Sequence, residues 1–200
     1  MRLSKTISVI LHPIFMPMIA LYLSLAFVPN IGFAITNYLN FIYLILAFST
    51  IILPLMSILF LIKKKQVTSL EMSNYKERSV PLFITAIWMC YGYYKLRDIL
   101  VFSPVLKSEL TGAIIIIIIA AVISKYWKIS LHMLGIGGIV GVLFSLNILF
   151  GGLLQIIILF VLLAGVLGVA RINEKAHNHA QIYTGFLVGF FIEAAGILFF

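Results

Sequence analysis

Long apolar runs follow one another along this chain with little between them, and that pattern constrains its fold more than any motif does. A helix needs about 20 apolar residues to cross the hydrocarbon of a bilayer. Runs of roughly that order occupy residues 9–28, 39–62, 80–102, 110–124, 129–150, 153–170 and 182–199. Backbone in lipid has no water to bond, so each run must satisfy its own N–H and C=O groups. Uninterrupted runs do this as helices, whereas an outer-membrane barrel would need short alternating segments. The reading is an all-α membrane protein, a polytopic bundle of about seven (six to seven) transmembrane helices forming a single domain over residues 1–200. With 63% of residues hydrophobic, 10% charged and a mean hydropathy of +1.18, nothing is left over for a soluble domain.

The net charge of +8 does not point to nucleic acid, because the basic residues sit in short connections between the runs, where topology already requires them. Counting by side places Arg2, Lys5, Lys63, Lys64, Lys65, Lys76, Arg78, Lys125, Lys128, Arg171 and Lys175 together, against Lys95, Arg97 and Lys107, which is 11 against 3. The positive-inside rule puts the first group in the cytoplasm, with the N-terminus, in a cell or inner membrane. Pro13 and Pro17 interrupt the first run, which reads as a retained span rather than a cleaved leader. The single cysteine, Cys90, lies inside an apolar run and reads as a packed thiol.

Four polar stretches at the ends of the runs hold most of the chemistry: Lys76 to Pro81, Lys128 to His132, Arg171, and His177 to Gln181. Lys128 and His132 are four residues apart and share a helical face, so one can hold an anion while the other moves a proton. Gly135, Gly137, Gly138 and Gly141 follow, small residues of the kind that let membrane helices approach closely. Arg171 and His177 precede the last run, and Gln181 follows one helical turn later. A phosphate there would meet a guanidinium fork, an imidazole and the free N–H groups of a helix start. Arg78 stands at the mouth of the third run, with Pro81 suiting a helix beginning. His177 and His179 alternate without a carboxylate or thiol partner, so no metal is expected.

The order Arg78 to Pro81, then Ser130-Leu-His132, then Arg171-x5-His177-x3-Gln181 resembles the three motifs of the type 2 phosphatidic acid phosphatase superfamily. Those motifs read Lys-x6-Arg-Pro, Pro-Ser-Gly-His and Ser-Arg-x5-His-x3-Asp, and the likeness runs from about residue 71 to residue 189. It is most similar to small bacterial multi-pass members carrying Lys-Ile-Ser-x-His-x-x-Gly-Ile-Gly-Gly, here Lys128 to Gly138, and Ala-Arg-x5-His-x3-Gln-x3-Gly, here Ala170 to Gly185. The resemblance implies a lipid phosphatase working without cofactor or metal. His177 would be the nucleophile and His132 the acid for the leaving oxygen. Arg78, Lys128 and Arg171 would hold the phosphoryl group, with Ser130, Glu174 and Gln181 in support. Its partners would be membrane lipids bearing a phosphate, phospholipid or isoprenoid.

The chain departs from the family pattern at Glu71 in place of Lys, Ala170 in place of Ser and Gln181 in place of Asp. An amide can orient an imidazole but cannot stabilise its cation as a carboxylate does. Glu174 or Glu77 could supply the missing carboxylate. Two rival readings stand beside the phosphatase: a non-catalytic lipid-binding or scaffold protein, and a small transporter using Glu193, which lies deep in the last run, with the cluster of Lys95, Arg97 and Asp98.

Overall fold

The computed structural model describes residues 2–70, 72 and 74–199; among the described residues helices joined by short connections make up the chain, with no strand. Helices α1 (Arg2–Ile10), α2 (Met16–Phe27), α3 (Leu39–Leu46), α4 (Leu53–Lys63), α5 (Ser79–Leu100), α6 (Pro104–Ile123), α7 (Leu131–Phe150), α8 (Leu154–Asn173) and α9 (His179–Phe199) follow in order. Six helical stretches are long and apolar enough to cross a membrane: Leu3–Phe27, Pro29–Lys63, α6, α7, α8 and α9. Helix α5 has the same length class. It is tied to the end of α6 where Ser79 donates to the Ala121 carbonyl at 2.9 Å, and it turns back into α6 through Val101 to Ser103.

The first span is not one helix. Pro13 disfavours helical backbone at the residue before it, and His12 is extended, with φ −70° and ψ 135°. This separates α1 as a short amphipathic helix lying against α8. In the second stretch Pro54 has no N–H to continue the ladder. The turn before it, Ala47–Ile52, opens into a π-helix whose Leu46 carbonyl is taken by the Thr50 hydroxyl at 2.8 Å. The fourth span begins at Pro104 rather than at residue 110, because Glu109 is buried and bonded instead of marking a loop.

Helix α7 is the axis of the bundle: 67% of its apolar window is buried, against 28–39% in the other five stretches. It packs most intimately on α9, and glycines explain why. A Cβ at Gly137 or Gly141 would strike the Phe186 or Phe190 carbonyl, and one at Gly189 would strike the carbonyl of Leu134. Gly137 and Gly141 on α7 therefore seat the backbone of Phe186 and Phe190, and Gly185 and Gly189 on α9 seat that of Ser130 and Leu134, two four-residue glycine spacings that press backbone on backbone. The contact also brings the starts of α7 and α9 together, where the Ser130 N–H donates to the Gln181 carbonyl at 3.4 Å.

Candidate functional site

The polar ends of α1, α5, α7, α8 and α9 meet at one end of the bundle. Arg78 precedes α5 and is buried; its Nε donates to the Met72 carbonyl at 2.8 Å and its Nη1 to the Ile129 carbonyl at 3.4 Å. Those two bonds tie Met72 and Arg78 to the start of α7. Ser130 is fully enclosed and caps α7, its hydroxyl facing the Met133 N–H at 3.5 Å. Its part is thus to start the helix that carries His132.

At α9, Asn178 and Gln181 form a reciprocal capping box. The Gln181 N–H donates to Asn178 Oδ1 at 3.0 Å, and the Asn178 N–H donates to Gln181 Oε1 at 3.3 Å. Because a backbone N–H points at Oε1, that atom is an acceptor, and His177 Nδ1, 2.9 Å from it, must be the protonated nitrogen. The neutral ring therefore keeps its lone pair on Nε2. Burial, with the charges of Arg78, Arg171 and Lys128, pulls His177 down to about 4, while the Gln181 bond works in the opposite direction. The same mutual repulsion, after burial, lowers Lys128 (through Arg78 and Arg171) and Arg78 (through Arg171). Three cations thus converge electrostatically on one neutral imidazole.

A second knot lies alongside. Arg171 Nη1 is paired with Glu174 Oε2 at 2.5 Å and donates to Ser8 Oγ at 3.1 Å, while Ser8 Oγ donates to Glu174 Oε1 at 3.1 Å. The Ser8 carbonyl accepts from His132 Nε2 at 3.0 Å, and the His132 ring stands edge-on to His12 with centroids 5.3 Å apart. One residue of α1 therefore links His132 to Arg171.

Several expectations change here. Glu174 does not replace the missing Asp beside His177, since its carboxylate is spent on Arg171 and Ser8. Glu77 accepts from the N–H and hydroxyl of Thr68, both at 2.9 Å, and does not serve His177 either. Glu71 lies outside the described residues. His179 stacks on Tyr183 instead of turning toward His177, and no metal-holding group of three His, Cys, Asp or Glu occurs among the described residues. Lys95, Arg97 and Asp98 do not join Glu193: Arg97 and Asp98 are exposed and paired at 3.4 Å, while Glu193 is buried elsewhere. Ser8 was not legible as a site residue, being a lone serine in an apolar run; His12 falls on the same side as the motifs in the sequence, where its place before Pro13 explains it as well as a site does.

The five residues Arg78, Lys128, His132, Arg171 and His177 surround the starts of α7 and α9, but none lines the apolar cavity beneath them, which His12, Met72 and Leu131 border. No family model, curated protein or solved structure matches the chain.

Proposed function

We propose that this membrane protein binds a lipid phosphate at the α7–α9 end and transfers its phosphoryl group to water through His177. The observation that carries the reading is the state of His177. Its Nδ1–H is held by Gln181 Oε1, which leaves the lone pair on Nε2, and burial together with the charges of Arg78, Arg171 and Lys128 holds its pKa down to about 4. Phosphoryl transfer asks little covalent work of a protein beyond a positioned nucleophile and cations for the equatorial oxygens. Nε2 attacks phosphorus and the bond to the lipid oxygen breaks; His132, whose Nε2–H stays on the Ser8 carbonyl, takes a second proton from solvent at Nδ1, passes it to the leaving alkoxide and regains it from the water of the next step. Water then cleaves the N–P bond, releasing phosphate and restoring the imidazole. Arg78 uses two of its five N–H donors on carbonyls, which fixes its plane and leaves the rest for an anion. The resemblance to the type 2 phosphatidic acid phosphatases agrees with these assignments. This end faces the cytoplasm in the proposal, on the charge count of 11 against 3.

Binding without turnover is the second reading. It is favoured by the neutral Gln181 and by the Ser8 carbonyl holding His132 Nε2. Phosphate release and lipid binding measured side by side, on purified protein and His177→Ala, separate the two. Release that is lost in the variant while binding persists supports hydrolysis. Binding by both with release from neither supports the second reading, and binding by neither contradicts both.

A further inference from the structure

Deeper in the bundle, inside the membrane, lies a second polar site whose two carboxyls stand apart from the histidine cluster, although His12 borders the far end of the same cavity. Glu109 on α6 and Glu193 on α9 are each only 3% exposed. Glu109 Oε2 accepts from the buried Ser24 hydroxyl at 2.9 Å. Glu109 Oε1 and Glu193 Oε2 have no hydrogen-bond partner among the described residues. The two carboxyls are close because Glu193 packs on Gly112, one turn after Glu109 on the same face of α6, where a Cβ would strike the Glu193 carboxyl. Both border a cavity of about 150 Å³ whose other walls are almost wholly apolar, among them Ala20, Met89, Ile116 and Ile139.

The chemistry of this cavity is one-sided. Of its other polar neighbours, Thr50 and Thr85 have spent their hydroxyl protons on the carbonyls of Leu46 and Pro81, which leaves only oxygen lone pairs for a guest. His12 stands at the far end, and no Lys or Arg borders the space. A carboxylate with no counter-charge in hydrocarbon is costly, and such groups in membrane spans mark functional sites. Once ionised, the two carboxyls are acceptors alone at one end of an apolar hole, and the guest that offsets their charge is one with a positively charged donor and a hydrocarbon body. A largely aliphatic cavity of about 150 Å³ has room for a molecule the size of benzene. The neighbouring π-turn at Ala47–Ile52 is a local distortion of a kind frequent at functional sites.

We propose that the cavity between Glu109 and Glu193 binds a small amphiphilic cation, its ammonium group held by the two carboxyls and its apolar body lying along α7. The site is independent of the lipid-phosphate reading and is tested without phosphate. Thermal unfolding of the purified protein in nanodiscs is followed with hexylammonium chloride, with 1-hexanol as its uncharged counterpart, at a pH where the amine is protonated. Hexylammonium raises the Tm saturably, with an apparent affinity at least about tenfold above that of hexanol. Glu193→Gln and Glu109→Gln each remove that preference. Gly112→Ala, which displaces the Glu193 carboxyl, weakens it. Equal action by hexanol, or a preference retained in both Gln variants, overturns the proposal. A hexylammonium probe bearing a diazirine serves on the unmodified protein should a variant not fold: labelling of α6 or α9 at the two glutamates supports the site, and labelling elsewhere overturns it.

Discussion

At the scale of single residues, the account rests on which nitrogen of His177 carries a proton. Gln181 Oε1 takes both the Asn178 N–H and His177 Nδ1–H, so Nε2 is free and the ring is kept neutral by burial and three cations. The folded ring titrates at about 4, below the ordinary histidine value of 6.5. Between those values the unfolded chain binds the extra proton. His177 therefore contributes stability that is fully present above pH 6.5 and is lost as pH falls toward 4. Labelled-imidazole NMR should find it uncharged at pH 6, and a ring protonated there contradicts the assignment. Gln181→Glu keeps the length that the capping box needs and adds a charge, whereas Gln181→Asp adds the charge but shortens the reach. The Glu variant should raise the His177 pKa and speed phosphate release about tenfold or more by stabilising the imidazolium, since orienting and acid–base groups carry effects of that size. An unchanged pKa and rate would assign Gln181 to helix capping alone. The spacing of Arg171, His177 and Gln181 was legible in the sequence, because one helical turn relates the last two. The capping box that fixes the acceptor was not read from it, although Asn178 and Gln181 have its spacing.

At the scale of elements, the approach of α7 to α9 decides whether the site exists. Of the two glycine pairs, one on each helix, the α7 pair was legible as a packing signal; the α9 pair emerged only in three dimensions, because glycines in an apolar run look the same on any face. Gly189→Leu would drive a side chain into the Leu134 carbonyl, which as backbone cannot move aside. Overpacking of this kind costs about 1–3 kcal/mol, occasionally more. The expected result is a lower Tm with lipid-phosphate binding lost, while the same change at Gly165, where a Cβ meets open space, leaves both nearly unaltered. Equal effects at the two positions would remove the glycine seam from the account. Spans that end in charged residues were the hardest to delimit. Glu109 looks like a loop residue until Ser24 is found beside it, a contact between residues 85 apart in sequence that no local pattern carries.

For the whole molecule, the bundle class and the gathering of basic and histidine residues at one end follow from hydropathy and alternation of loops, which is why both could be read before any fold was known. What could not be read is vertical pairing inside the membrane: Glu193 meets Glu109 instead of the Lys95 to Asp98 cluster, and Ser8 joins His132 to Arg171. Orientation is a prediction at this scale. In a Cys90→Ser background, single cysteines at Lys64 and Lys175 should resist an impermeant thiol reagent in intact cells and react in inverted vesicles. Reaction in intact cells reverses the sidedness. The central claim, that His177 Nε2 attacks a lipid phosphate, is tested most directly by rapid acid-free quenching of the purified protein with a radiolabelled lipid phosphate. The account predicts an acid-labile, base-stable phosphoryl label on His177, absent in His177→Ala. Lipid-phosphate hydrolysis that continues in His177→Ala, or a label on another residue, contradicts it.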